Sequence, residues 1–323
     1  MGKTAVDIVI DRILKDVDEN GNMPWQRPYK MYNSFNYFSL KPYRGINRVM
    51  LPFGEYLTAN QINEYNKTHN EDYKFQKGIV WYPVVYFKHD IKEISEKDVI
   101  KVLPDVDLPN TGKNGTVYLG KDSSWFYFYD SGRYFKKRNI LRYFNVADRI
   151  HFKNSKGEVL PSRIDTGEVE IILSKPKEVV DSYISRSGVS LGETLSAPNY
   201  QRIPDLVEMN YTCKGDEFYS TLFHELAHST GHARRLNREG IVANNQSEDL
   251  YAREECIAEI AACLCCAECG IYDFNTSCTS AYDNNIAYIS FWKKKVKDWG
   301  KNFIYLVSEA DRAFNMIFDF KEE

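Results

Sequence analysis

The segment Phe223–Leu236 contains the pattern H-E-x-x-H and is the part of this 323-residue chain whose residue types and spacing point most directly to chemistry. His224 and His228 are four residues apart, so on an α-helix both imidazoles lie on one face, one turn apart. Two such imidazoles can hold Zn²⁺, which lowers the pKa of a bound water towards 7. Glu225 follows the first histidine, where its carboxylate can accept a proton from that water during attack on a peptide carbonyl. The pattern therefore predicts a zinc-dependent hydrolase site with Glu225 as the catalytic base.

A zinc site of this kind needs a third protein ligand, and the sequence offers one on a second helix. The tenth residue after His224 is Arg234, so the pattern that uses a distal third histidine is not met. Residues 251–262 are alanine-rich and contain neither glycine nor proline, which predicts a helix with Glu255 and Glu259 on one face. We expect Glu255 to bind zinc and Glu259 to orient a ligand histidine through its free N–H.

Other side chains near the motif leave alternatives for the third ligand. His232 follows Gly231, and we expect it to lie beside the site, although it is one alternative ligand. Glu259 is the other alternative to Glu255. Glu254 points about 100° away from Glu255 around a helix and is a weaker candidate.

These two motifs resemble the metallopeptidase domain of ArdC-type antirestriction proteins, which conjugative plasmids, phages and integrative elements carry. The resemblance rests on YSTLFHELAHSTGHARRLNR followed by YAREECIAEIAA. Further segments resemble the same family in the same order, with Met23 in place of the usual first proline: Asn22–Pro28, Lys41–Asn47, Lys77–Val80, Tyr143–Val146, Ala197–Tyr200 and Pro204–Met209. The match covers most of the chain apart from a turn-rich insertion near residues 91–122.

The resemblance implies a first domain that binds single-stranded DNA and a second domain with a zincin-like fold. We expect an α+β protein, with a mixed α/β domain over residues 1–173, a connection over 174–198 and a mainly helical zincin-like domain with a small sheet over 199–323. The length of the chain also favours two domains. Apolar periodicity predicts helices over 6–17, 178–185, 284–299 and 302–319.

The charge of the chain is distributed unevenly between its two parts. The formal net charge is −3, but residues 1–170 contain 26 Lys and Arg against 22 Asp and Glu, a net of +4. Residues 171–323 contain 16 against 23, a net of −7. A basic first part and an acidic second part suit a polyanion-binding module joined to a module of another kind.

Residues 21–54 contain no acidic residue and interleave cations with aromatic rings. Cations can follow phosphates and flat rings can stack on bases, so this pattern is typical of a surface that binds single-stranded nucleic acid. The alternative is that many of these rings belong to the core. The predicted phosphate contacts are Arg27, Lys30, Arg44 and Arg48, and the predicted stacking rings are Trp25 and Tyr43.

A second basic and aromatic stretch covers residues 125–149. Residues 125–129 predict a strand and residues 130–132 a turn. Arg133, Lys136, Lys137 and Arg138 follow, and we expect them to share a DNA-binding groove with the first stretch. A solvated charged face is the alternative.

The seven cysteines of the chain do not predict a second metal site. Cys263, Cys265, Cys266 and Cys269 fall on the helix predicted to carry Glu255, where four thiols point in several directions and cannot surround a tetrahedral ion. We therefore interpret them as buried small side chains. The sequence shows no signal peptide and no long apolar segment, so we expect a cytoplasmic protein with no membrane partner.

The sequence is compatible with three functions. The first is a zinc peptidase whose substrate, an unknown protein or peptide, reaches it on or near single-stranded DNA. The second is a non-catalytic protein of a mobile genetic element that coats single-stranded DNA against host restriction and keeps a structural zinc site. The third is an interaction protein without metal. The intact H-E-x-x-H pattern counts against the third, and in part against the second, because a structural site has no need of Glu225. We expect Zn²⁺ and single-stranded DNA as ligands.

Overall fold

In the computed structural model of the protein, the described residues are 3–21, 23–25, 34–102, 117–119, 126–130, 133–164, 174–210, 212–243, 247–271 and 285–320. The helices among them are α1 (Ala5–Asn20), α2 (Ile46–Met50), α3 (Ala59–His69), α4 (Glu96–Val102), α5 (Pro176–Ser187), α6 (Gly215–Thr230), α7 (Glu239–Val242), α8 (Glu248–Cys269), α9 (Asn285–Trp299) and α10 (Lys301–Phe318). The strands are β1 (Phe35–Asn36), β2 (Glu55–Leu57), β3 (Lys74–Phe75), β4 (Tyr82–Ile94), β5 (Val117–Leu119), β6 (Phe126–Asp130), β7 (Arg133–Asp148), β8 (Phe152–Lys153), β9 (Ser190–Thr194), β10 (Asn199–Gln201) and β11 (Leu206–Asn210).

The order of these elements confirms the α+β class that the sequence predicts. Strands dominate the middle of the amino-terminal half, and a mainly helical region with one small sheet follows. The four helices predicted from periodicity are observed as α1, α5, α9 and α10. Within the turn-rich insertion near residues 91–122, residues 103–116 and 120–122 lie outside the described residues. No described helix is both long enough and apolar enough to span a membrane.

The chain forms two compact units. The smaller unit contains residues 1–5 and 84–144, and the larger contains residues 6–83 and 145–323. The segment before residue 84 therefore belongs to the same unit as the carboxyl-terminal helices. The two compact units divide the chain at other positions than the boundary expected at residues 174–198. That expected domain boundary stays a prediction.

Three helices, α6, α8 and α10, pack together in the larger unit. Helix α10 buries one stripe with helical spacing, which includes Phe303, Val307, Ala310 and Phe314. Helix α8 begins after Ser247, whose side chain accepts a hydrogen bond from the Leu250 N–H. The cysteines that the structure describes on α8 are buried free thiols, as the sequence predicts for the last four of them: Cys256, Cys263, Cys265, Cys266 and Cys269. Burial raises the pKa of the first four of these thiols.

A three-stranded sheet lies beside α6 in the same unit. Its strand order is β10-β11-β9, with β11 antiparallel to β10 and parallel to β9. Central strand β11 buries the alternate residues Val207 and Met209 and contacts α6. The sheet thus covers one side of the helix that carries the H-E-x-x-H pattern.

The amino-terminal part of the larger unit has its own small core. Strands β1 and β2 pair in parallel, and β2 pairs antiparallel with the carboxyl end of β7. The buried cluster around these strands contains Tyr37, Leu57, Ile62, Tyr73, Ala147, Phe152 and Leu160. In the smaller unit, β5, β6 and β7 form antiparallel pairs and β4 pairs with β7.

Candidate functional site

Helix α6 carries both histidines of the H-E-x-x-H pattern in the interior of the larger unit. Every side chain from Ser220 to Thr230 is buried. The rings of His224 and His228 have centroids 4.8 Å apart, and their Nε2 atoms lie 3.1 Å from each other. The shared helix face predicted from the four-residue spacing is therefore present.

Glu255 joins these histidines from α8, which packs against α6. Its Oε2 lies 3.5 Å from His224 Nε2, and its Oε1 lies 3.6 Å from His228 Nε2. Donor atoms bound at about 2.0–2.1 Å to a tetrahedral ion lie about 3.3 Å from one another. The observed separations fit such an ion, and these three residues form the metal-donor group found among the described residues. Glu255, rather than Glu259, is the carboxylate that converges with the histidines.

The neighbouring carboxylates make this centre attractive to positive charge. Burial lowers the pKa of His224, but a hydrogen bond with Glu255 and the charge of Glu225 outweigh it and raise the pKa to about 9. Burial raises the pKa of Glu255, but the hydrogen bond with His224 and the charge of His228 lower it to about 2. A divalent ion and a proton would compete for the same donor atoms, so metal binding at this centre should release protons.

Glu225 and Tyr251 border the donor group. Glu225 is buried, and its negative charge acts on both His224 and Tyr251. Tyr251 is 53% exposed and its phenol hydrogen-bonds to Glu255, one turn further along α8. Burial and the charge of Glu255 raise the pKa of Tyr251 to about 12, so the phenol is protonated at neutral pH. Tyr251 is not among the site residues predicted from the sequence, although its four-residue spacing from Glu255 was a usable signal.

A buried ion pair lies behind His228. Glu254 Oε1 is 3.3 Å from His228 Nδ1, and Arg238 donates hydrogen bonds to both oxygens of Glu254, at 3.0 Å from Nε and 2.5 Å from Nη2. Glu254 is 3% exposed and Arg238 is 6% exposed. Burial raises the pKa of Glu254, but hydrogen bonds with His228 and Arg238 lower it below its ordinary value. An ionised Glu254 can accept the Nδ1 proton of His228 and leave Nε2 free for a metal.

Two glycines make room for this ion pair. A Cβ at Gly231 would lie 2.9 Å from Arg238 Nη2 and 2.6 Å from Ile241 Cγ1. A Cβ at Gly240 would lie 2.7 Å from the Cβ of Glu254. Gly231 has a helical φ of −76°, so packing rather than backbone conformation requires glycine there. Gly231 lies in the segment Phe223–Leu236, three residues after His228. The structure shows that the absence of a side chain there leaves room for Arg238 and Ile241.

The two residues expected to support the ligands contribute less directly than Glu254. Glu259 Oε2 is 4.0 Å from His224 Nδ1, which suits an ion pair but is too long for a hydrogen bond. His232 lies in the turn after α6, where its Nδ1 accepts a hydrogen bond from the Arg234 N–H at 3.2 Å. It does not join the donor group. Glu254, which the sequence ranks low because of its direction around the helix, is the carboxylate closest to a ligand histidine's free nitrogen.

Comparison with known protein families accounts for both parts of the chain. Residues 3–122 match the family described as the N-terminal domain of anti-restriction factor ArdC. Residues 178–307 match the family described as zincin-like metallopeptidase, and they include all three metal-donor residues. The chain belongs to the ArdC-type antirestriction proteins.

Similarity to solved structures and to curated relatives covers nearly the whole length of this ArdC-type chain. The metal-free crystal structure of antirestriction protein ArdC from plasmid R388 has a TM-score of 0.58 and 23% identity, and covers 96% of this chain and 94% of that one. The Mn(II)-bound structure has a TM-score of 0.62 and 20% identity, and covers 98% of both chains. Two DNA primases TraC from Escherichia coli are 22% and 21% identical over 98% of this chain, which spans 20% and 27% of their lengths.

In this ArdC-type chain, Trp25 of the acid-free segment 21–54, a predicted stacking ring, is buried. Trp25 is 1% exposed, and its ring packs against Trp292 and Phe303 with centroid distances of 6.2 and 5.9 Å. A base cannot stack on this ring, because neighbouring core side chains already cover it. The prediction that Trp25 stacks on DNA is therefore wrong.

Arg48 is also directed into the core. Its Nη1 lies 2.6 Å from Asp311 Oδ1, its guanidinium sits 5.0 Å from the ring centroid of Phe314, and the residue is 8% exposed. The same Asp311 accepts a hydrogen bond from the Gly45 N–H. Arg48 thus anchors α2 to α10, and the prediction that it contacts a phosphate is wrong.

Four further residues of the acid-free segment are predicted to contact DNA. Tyr43 and Arg44 are half-buried. Arg27 and Lys30 lie outside the described residues. These four stay predictions.

The second basic stretch is more exposed, and two of its cations are already paired. Arg133 Nη1 is 3.3 Å from Glu93, and Arg138 Nε is 3.0 Å from Asp90. Exposed pairs of this kind contribute about 0–1 kcal/mol, so a phosphate can compete for either cation. Lys136 and Lys137 are half-buried.

Proposed function

We propose that this protein binds a divalent ion, Zn²⁺ in the first instance, through His224, His228 and Glu255, and uses it for peptide hydrolysis. The observation that carries the proposal is the convergence of two imidazole nitrogens and one carboxylate at 3.1–3.6 Å from one another. Three protein donors of these types, with a fourth position for water, are typical of catalytic zinc sites. The Mn(II)-bound structure of the R388 protein supports metal binding by the fold.

In the proposed reaction, Glu225 moves the proton. A bound ion would supply a water of lowered pKa and polarise the substrate carbonyl. Glu225, buried beside His224, accepts the proton of the attacking water on its carboxylate and donates it to the leaving amine nitrogen. Tyr251, protonated and half exposed at the edge of the centre, can turn its single O–H from Glu255 to a substrate oxygen and donate a hydrogen bond there as negative charge develops.

We further propose that the protein binds single-stranded DNA for a mobile genetic element and protects it from host restriction. Membership of the ArdC-type antirestriction family supports this role. The basic stretch on β7 and the two relatives named DNA primases support a nucleic-acid ligand. The peptide substrate would be a cytoplasmic protein that meets the enzyme on or near the transferred strand.

Metal analysis and proteolysis assays test the catalytic part of this proposal. We expect about one Zn²⁺ per chain in purified protein, as in other three-ligand sites. Glu225→Gln should keep the metal and lose hydrolysis of a labelled casein or of a co-purified DNA-binding protein. Metal below stoichiometric amounts after growth with added Zn²⁺ or Mn²⁺ would contradict the proposal. So would hydrolysis that survives in the Glu225→Gln variant.

A non-catalytic antirestriction protein with a structural metal is the second candidate. The burial of His224 and His228, which are 9% and 8% exposed, favours it because structural sites are closed whereas catalytic sites keep an open position. The Glu225→Gln variant separates the two candidates. Full protection of DNA from a restriction enzyme by this variant would support the structural role, and loss of protection with metal retained would support catalysis.

A further inference from the structure

The smaller unit contains an antiparallel ribbon formed by β4 and β7. Three contacts define its alignment: Arg133–Glu93, Arg138–Asp90 and Tyr86–Phe144. As residue numbers rise along β7 they fall along β4, so the two strands run in opposite directions. Side chains alternate between the two faces of a strand. Each face of the ribbon can therefore be assigned from these contacts.

One face of the ribbon places two cations beside two aromatic rings. Tyr86 and Phe144 pack against each other across the strands, with ring centroids 5.7 Å apart. Lys88 follows Tyr86 by two residues on β4, and Arg142 precedes Phe144 by two residues on β7. The alternation of side chains puts both cations on the same face as the rings. Both cations are exposed, and neither has a partner among the described residues.

On this face Asp90 is paired with Arg138, whereas Lys88 and Arg142 have no acidic partner among the described residues. The cations at the far end are paired with Glu93 and Asp90. Lys88 and Arg142 are like charges on one face of two paired strands, and like charges that lie opposite each other destabilise a sheet. An anion between them would remove that repulsion. Tyr86 is 46% exposed beside this charge, which leaves much of its ring accessible to a flat ligand.

We infer that the face formed by Tyr86, Lys88, Arg142 and Phe144 is a binding surface for single-stranded DNA. Lys88 and Arg142 bind the phosphate backbone, and Tyr86, held by Phe144, stacks on a base. The inference rests on the proposed DNA binding and adds the surface that performs it. Single strands fit better than duplexes because their bases are free to stack.

The two kinds of contact can be separated by their dependence on salt. Affinity is measured by fluorescence anisotropy with a labelled oligothymidylate over a range of salt concentrations. Lys88→Ala/Arg142→Ala should weaken binding and reduce the slope of log affinity against log salt by about 1.4, because each phosphate contact on a single strand contributes about 0.7. Tyr86→Ala should weaken binding by about tenfold and leave the slope unchanged.

A charge-matched control excludes a general effect of lost positive charge. Lys67 and Lys77 are exposed lysines of the larger unit with no partner among the described residues. Lys67→Ala/Lys77→Ala should bind like the parent protein. Thermal unfolding of all variants should match that of the parent, which shows that the ribbon is intact.

The outcomes distinguish the surface from the function on which it rests. A parent protein that does not bind the oligothymidylate would refute the proposed DNA binding itself. A parent that binds, with Lys88→Ala/Arg142→Ala indistinguishable from the control, would refute this surface and leave DNA binding intact. An unaltered affinity in Tyr86→Ala would refute the stacking role of that ring.

Discussion

The metal centre and the acid-free segment 21–54 differ in how a residue pattern becomes a position in space. The H-E-x-x-H pattern is defined by spacing, and a helix converts that spacing directly into two imidazoles on one face. The acid-free segment is defined by composition, which does not determine the direction of any side chain. There, Trp25 and Arg48 point into the core and contact α9 and α10. Spacing within one helix therefore predicted a site, whereas composition predicted a surface that these residues do not form.

Removing a histidine of the metal centre is the change with the largest expected effect. In His228→Ala, only one imidazole and Glu255 remain of the donor group, so stoichiometric metal should be lost. The fall in affinity should exceed the roughly 100-fold that the loss of a supporting residue can cause. Metal content after dialysis and competition with a chelator measure it. His232→Ala is the matched control and should keep the metal; equal losses in both variants would contradict the assignment.

Breaking the Arg48–Asp311 pair tests the other side of the comparison. Arg48→Met leaves Asp311 buried without its partner, which typically destabilises a protein by about 3–5 kcal/mol. Denaturant unfolding measures this change. Affinity for an oligothymidylate, measured where the variant is still folded, should not change. Reduced DNA affinity with little loss of stability would show that composition had predicted the surface correctly after all.

The ligands were predictable because each follows from spacing within a single helix. His224 and His228 are one turn apart on α6, and Glu255 was favoured by its position within α8. Glu254 and Arg238 were not predictable in this way, because they are 16 residues apart and meet only when α8 packs against the segment after α6. The long helices followed from periodicity, and the α+β class followed from the resemblance to the ArdC-type family. The burial of Trp25 depended on contacts with residues more than 260 positions later in the chain, which no local pattern contains.

The carboxylates behind the two histidines should differ in their effect on metal affinity. Glu254→Gln removes the charged acceptor 3.3 Å from His228 Nδ1, and we expect an affinity loss of about 10- to 100-fold. Glu259→Gln should have a smaller effect, because that carboxylate lies 4.0 Å from His224 Nδ1. Chelator competition measures both, and the absorption spectrum of bound Co²⁺ reports any change in ligand geometry. A larger effect of Glu259→Gln would restore the original expectation that Glu259 is the supporting residue.

Tyr251 should have the smallest effect on the metal and offers the finest test of the site. Its phenol hydrogen-bonds to Glu255, but the residue is 53% exposed, so water can replace the hydroxyl in Tyr251→Phe. A net hydrogen bond contributes about 0.5–1.5 kcal/mol, and exposure favours the low end, so metal affinity should change by about twofold. If Tyr251 donates a hydrogen bond to substrate, the same variant should lower kcat several-fold more than it lowers metal affinity. Chelator competition and peptide hydrolysis on one preparation measure both quantities. Equal changes in the two would indicate that Tyr251 only supports Glu255.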